Sequence, residues 1–100
     1  MNNVGINGFG RIGRSILRII VESNSDLNVI AINDLGDREN LVYLFKHDSI
    51  MGVLDLHVEL KGDDLIVGDR TIKLISHDDP ANIPWSDLGV DLVVESTGFF

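Results

Sequence analysis

The sequence predicts an α/β fold, the first half of a doubly wound and mainly parallel sheet, and three observations carry that reading. Short apolar runs at residues 4–7, 27–33 and 90–96 have the character of buried strands. A helical apolar pattern lies between the first two, and such strand–helix–strand units normally make parallel, right-handed crossovers. Residues 54–76 instead alternate apolar and polar residues around glycine turns, a small antiparallel excursion inside a layered fold.

Each element follows from local chemistry. The first strand, residues 4–7, is broken by Gly8 to Gly13. Ile12, Ile16, Leu17, Ile19 and Ile20 then recur at helical spacing, which puts one apolar face on a helix running to about Glu22, with Arg11, Arg14 and Arg18 mostly on its other side. The turn formers Ser-Asn-Ser-Asp at 23–26 end that helix, and residues 27–33 make a second buried strand. Residues 34–37 form a loop, and Asp37 is placed to cap a helix over 38–48 with Leu41, Leu44 and Phe45 on one face. Turns fall at Gly62-Asp63 and Gly68-Asp69, and the last arm of the excursion, 71–75, is placed to rejoin the main sheet. Residues 78–85 are a proline-bounded connection with room for one helical turn, and 90–96 are the last strand. With no internal repeat and no composition break, residues 1–100 read as one incomplete domain. A last strand left as an apolar sheet edge would be a liability, so the sequence reads as part of a longer protein.

Composition narrows the function. A formal net charge of −8, with only eight Lys and Arg, excludes nucleic acid as an expected partner, because polyanions are held by clustered cations. No apolar run approaches the roughly 18 residues of a bilayer span, and Met1 is followed by two asparagines rather than a targeting segment, so no membrane partner and a cytoplasmic location are expected. The chain has no cysteine, which removes disulfides, thiolate metal sites and a cysteine nucleophile. His47, His57 and His77 share no metal-ligand spacing and read as surface or turn residues; Asp63-Asp64 and Asp78-Asp79 abut turn formers and read as solvated turns. No catalytic residue and no metal ligand is expected here.

Residues 5–15, GINGFGRIGRS, carry the chemistry. Gly8, Gly10 and Gly13 match the G-x-G-x-x-G dinucleotide fingerprint. The first permits a tight turn, the second close approach of backbone to a pyrophosphate, and the third close packing of helix on sheet. Amide groups at Arg11 and Ile12 then face the phosphates at the positive end of the helix. The motif alone is weak, but it follows a strand, opens an amphipathic helix and is answered by Asp34, about twenty residues beyond Gly13. A carboxylate there accepts from both ribose hydroxyls and repels a 2′-phosphate, so NAD is expected rather than NADP. Thr97 and Gly98 sit at the carboxyl end of the last strand, where an adenine can come close, with Phe99 and Phe100 beside it or in the core.

The segments INGFGRIGR, AIND, KHDSIMG, DPANIPW and DLVVESTG, in this order and spacing, resemble the phosphorylating glyceraldehyde-3-phosphate dehydrogenases over essentially the whole chain. The resemblance implies an NAD-binding Rossmann portion of an enzyme that oxidises glyceraldehyde 3-phosphate with inorganic phosphate to 1,3-bisphosphoglycerate, usually as a cytoplasmic homotetramer in glycolysis and gluconeogenesis. It implies that Asn7, Gly8, Phe9, Gly10, Arg11 and Ile12 form the pyrophosphate turn, that Asp34 holds the ribose, and that Ser96, Thr97, Gly98 and Phe99 form the adenine-side strand end. Where many members read Ser-Glu-Arg-Asp-Pro, this chain has Ser76-His77-Asp78-Asp79-Pro80, an anion in place of a cation. The family's cysteine nucleophile, histidine base and substrate domain lie beyond Phe100, so the chain alone is expected to be inactive. Two other readings stay open at this level: erythrose-4-phosphate dehydrogenase, which resembles Asn-Glu rather than Asn33-Asp34, and a non-catalytic NAD-responsive module.

Overall fold

A computed structural model of the chain describes residues 2–23, 25–47 and 56–97. In chain order it contains β1 (Asn3–Asn7), α1 (Arg11–Glu22), β2 (Asn28–Asn33), α2 (Arg38–Lys46), β3 (Val58–Lys61), β4 (Asp64–Val67), β5 (Arg70–Ile75), a 3-10 turn (Pro80–Asn82) and β6 (Leu92–Glu95). The strands form one six-stranded sheet in the order β3-β4-β5-β2-β1-β6. β5, β2, β1 and β6 are mutually parallel, while β3 and β4 form the antiparallel excursion, with β5 rejoining the sheet through Ala31↔Lys73 to Asn33↔Ile75. From β1 the chain moves to β2 and β5 on one side and comes back to β6 on the other. Strand order therefore reverses at β1, and open α/β sheets bind ligands beyond the carboxyl ends of the strands at such a reversal.

The apolar strands supply the core. Val4, Ile6, Val29, Ile32, Ile72 and Leu74 are buried together with Leu17 of α1 and Phe45 of α2. α2 begins as the sequence predicts, with Asp37 Oδ2 accepting from the Asn40 amide at 3.2 Å. It buries Leu41 and Phe45, four apart on one line, while Leu44 is 36% exposed and lies off that face.

α1 is rotated from the expected face. Gly13, Leu17, Arg18 and Ile20 are buried, whereas Ile12 and Ile19 are 66% and 57% exposed. Gly13 is the cause: a Cβ there would press on the Gly8 carbonyl, Ser96 Oγ and Ile6, so only the helix line that begins with this glycine can lie against the sheet. Leu17 and Ile20 continue that line. Arg18, expected on the outer side, is carried inward, and its Nε donates to Glu22 Oε1 at 3.2 Å one turn on. Gly5 has a separate packing role, since a Cβ on it would overlap the Trp85 ring that covers the middle of β1.

Candidate cofactor site

The turn between β1 and α1 requires its glycines for different reasons. Gly8 has φ +95°, and a Cβ on it would come within 2.8 Å of the Thr97 backbone at the end of β6. Any other residue would be strained in conformation and in space. Its amide donates to the Asn33 carbonyl at 2.7 Å, which ties the turn to the end of β2. Gly10 is the opposite case, because a Cβ there would meet nothing within 4 Å. Among the described residues nothing packs into that space, which leaves the backbone at Gly10 open on the side of the cleft.

The two helix ends differ in the same sense. Gly10 offers α1 no side-chain cap, and the first turn of α1 carries no acid. α2 has both, Asp37 as cap and Glu39 in its first turn. The leading amides of a helix need acceptors and carry partial positive charge, so α1 presents an anion site while α2 is satisfied from within the chain.

Asp34 sits just beyond β2, partly buried. Its Oδ2 accepts from the Phe9 amide at 2.8 Å and its Oδ1 from the Gly36 amide at 2.7 Å. Each carboxylate oxygen keeps a further acceptor position, so the residue both braces the glycine turn and offers fixed acceptors to hydroxyls.

A ladder of polar side chains crosses the strand ends. Thr97 Oγ1 donates to Glu95 Oε1 at 3.3 Å, and Asn7 Nδ2 donates to the same oxygen at 2.8 Å. Asn7 Oδ1 accepts from Asn33 Nδ2 at 2.9 Å, and Asn33 exchanges hydrogen bonds with the His77 backbone at 3.0 and 2.7 Å. Asn7 and Asn33 are each 5% exposed and in register. Buried amides with both ends satisfied fix the relative positions of the strand ends. Ser96 Oγ adds a bond to the Gly8 carbonyl, clamping the turn to β6.

Above this ladder opens a cleft of about 580 Å³, lined by Asn7, Gly8, Gly10, Asn33, Asp34, Leu35, His77, Asp78, Ile83, Glu95, Ser96 and Thr97. Of the residues singled out in the sequence, Asn7, Gly8, Gly10, Asp34, Ser96 and Thr97 come together here. Arg11 and Ile12 are exposed at the start of α1, and Gly13 is buried beneath the turn. Phe9 turns its ring into the core, 1% exposed and 5.7 Å from the Phe45 ring, and meets the site only through its backbone. Gly98, Phe99 and Phe100 lie outside the described residues, as do Asp48 of the expected second helix and residues 54–55 of the expected excursion. Sequence reasoning gave no site role to Leu35, Ile83 or Glu95, and it used Asn33 only as the neighbour of Asp34; Asp78, which the resemblance sets where many members have an arginine near the cofactor's adenine half, is an exposed part of the cleft wall, and the half-buried His77 lies beside it. One signal was present: two strands that each end in Ile-Asn, at Asn7 and Asn33.

A glycine turn at the reversal of a parallel sheet, opening an uncapped helix and faced by an acid from the next strand, makes this a dinucleotide-binding domain of the Rossmann class. The family model described as glyceraldehyde 3-phosphate dehydrogenase, NAD binding domain, matches residues 2–100. The chain belongs to that family, and NAD is its cofactor. It is similar to the glyceraldehyde-3-phosphate dehydrogenase of Streptomyces coelicolor, 50% identical over 97% of this chain and 29% of the relative. Glyceraldehyde-3-phosphate dehydrogenase 1 of Bacillus cereus is 48% identical over 100% of the chain and 30% of the relative, and the glyceraldehyde-3-phosphate dehydrogenase of Chlamydia pneumoniae is 54% identical over 97% and 29%. The chain thus spans under a third of the length of the curated relatives it matches.

Proposed function

We propose that this chain is the cofactor-binding part of an enzyme that oxidises glyceraldehyde 3-phosphate with NAD and inorganic phosphate to 1,3-bisphosphoglycerate, a cytoplasmic homotetramer of glycolysis and gluconeogenesis. The observation that carries the reading is the pairing of an uncapped α1 with space over Gly10 that no described residue fills, room for a pyrophosphate beside the leading amides. NAD, when bound, accepts the hydride. The chain's own residues bind and orient. Gly8, Gly10 and the amides of Arg11 and Ile12 receive the pyrophosphate, with Asn7 and Phe9 shaping the turn and Gly13 letting the helix approach. Asp34 accepts from the ribose hydroxyls, and Ser96, Thr97, Gly98 and Phe99 border the adenine. The names of the relatives and the Asn33-Asp34 pair favour glyceraldehyde 3-phosphate over erythrose 4-phosphate.

The chain holds no cysteine, so it supplies no thiol to attack an aldehyde. The test is NADH formation, followed by absorbance, from glyceraldehyde 3-phosphate and phosphate. The native protein carrying this chain should turn over, and purified residues 1–100 should not. Turnover by the isolated chain would contradict the division of labour, and a native protein inert toward this substrate would overturn the assignment.

A further inference from the structure

Phe9 sits between Gly8 and Gly10, whose backbones have little stiffness of their own, so the shape of the cofactor turn depends on what holds Phe9. Its ring is buried against Phe45, its amide donates to Asp34 Oδ2 at 2.8 Å, and its carbonyl accepts from Arg14 Nη1 at 3.2 Å. Side chains of a helix lean toward its N-terminus, which lets the half-buried Arg14 of α1 reach back to this carbonyl. The contact acts on the Phe9–Gly10 peptide. That unit is planar and trans, so its N–H is directed opposite to its C=O. A guanidinium that fixes the Phe9 carbonyl therefore fixes the direction of the Gly10 amide, on the residue whose backbone is open on the side of the cleft.

Arg14 also stands where the field of the helix alone would not favour a cation. A helix start carries partial positive charge, and acids there and bases at the far end are the stabilising arrangement. α2 follows it, with Glu39 in its first turn and Lys46 in its last. α1 reverses it: Arg11 and Arg14 lie among its opening four residues, its first turn has no acid and its last turn no base. This charge placement is independent of the bond to Phe9, and it points to an anion at the start of α1. We infer that Arg14 is a positioning residue for the cofactor's pyrophosphate, its guanidinium holding the Phe9 carbonyl so that the Gly10 amide is aimed at the phosphates. It acts through the backbone rather than by touching the phosphates itself. The inference rests on the reading that the pyrophosphate lies over Gly10.

The experiment measures binding of NAD, ADP-ribose and adenosine to the native protein by calorimetry, alongside thermal melts, for wild type, Arg14→Lys and Arg14→Met. ADP-ribose carries the pyrophosphate and adenosine lacks it. Lysine keeps the charge but ends short of Nη1 and has no planar fork to set on a carbonyl. Arg14→Met should weaken NAD and ADP-ribose by about tenfold and Arg14→Lys by several-fold, with adenosine changed by less than about twofold in both. Arg14→Lys binding ADP-ribose as wild type does would assign the effect to charge and overturn the positioning role. Equal losses for adenosine and ADP-ribose, or a lowered Tm with both affinities intact, would make Arg14 a support of the fold and overturn it too. Arg14→Lys retains the charge and most of the volume, so it decides the question even where Arg14→Met does not fold. Wild type holding ADP-ribose no more tightly than adenosine is the separate result that overturns the pyrophosphate over Gly10, and the inference with it.

Discussion

The glycines of the cofactor turn separate under substitution because one faces protein and the other faces the cleft. Gly8→Ala places a methyl against the Thr97 backbone at a φ of +95°. It should destabilise the fold by about 1–3 kcal/mol, which in a domain of this size lowers Tm by roughly 4–8 °C for each kcal/mol. Gly10→Ala meets no atom within 4 Å and should cost under about 1 kcal/mol, the scale of a helix-cap change. Its effect belongs to NAD affinity, expected to fall on the order of tenfold as the methyl enters the pyrophosphate's space. Thermal melts paired with NAD titrations check both, and a Gly10→Ala protein that binds NAD normally would remove the pyrophosphate from that position. The division was half legible in the sequence. The spacing of Gly8, Gly10 and Gly13 marks the turn, yet it could not show that the Phe9 ring leaves the site for Phe45, because that depends on where α2 packs.

Between elements, the strand-end ladder decides how the site is held open. Asn33 links β1 through Asn7 and the segment after β5 through the His77 backbone. Asn33→Asp replaces its donor by an acceptor that faces two other acceptors, the Asn7 side-chain oxygen and the His77 carbonyl. Unfolding in denaturant should show a loss of about 1–3 kcal/mol with an unchanged m-value. A variant as stable as wild type would mean the ladder is not what fixes the strand ends. Element order, both hairpin turns and the Asp37 cap were legible because they depend on residues close in sequence. The face of α1 was not. Ile12 and Ile19 fit the apolar periodicity as well as Leu17 and Ile20 do, and the choice falls to Gly13, whose approach to Gly8, Ile6 and Ser96 involves contacts distant in sequence. Arg18 is carried inward with that face.

At the scale of the molecule, the cleft is assembled mostly from residues on or just after four strands, joined to one another by the sheet, the ladder and the bonds of the glycine turn. A ligand spanning Gly10, Asp34 and Thr97 therefore bridges β1, β2 and β6, and binding only the folded arrangement makes it a stabiliser of the whole. At one hundred times its dissociation constant NAD should add about 2.7 kcal/mol to unfolding, independent of which contact contributes most. For residues 1–100 that corresponds to a rise in Tm of roughly 10 °C or more, and NADP at the same concentration should give a much smaller rise because Asp34 opposes its extra phosphate. The net charge of −8 sharpens this contrast, since any general attraction for anions would favour NADP, the more charged ligand, and the chain has none to offer. Thermal scans at matched cofactor concentrations in low salt measure it. Equal shifts for the two dinucleotides would mean that the discrimination does not reside in this chain. A rise with NAD alone would place it within this chain, where Asp34 is the charge set against the added phosphate.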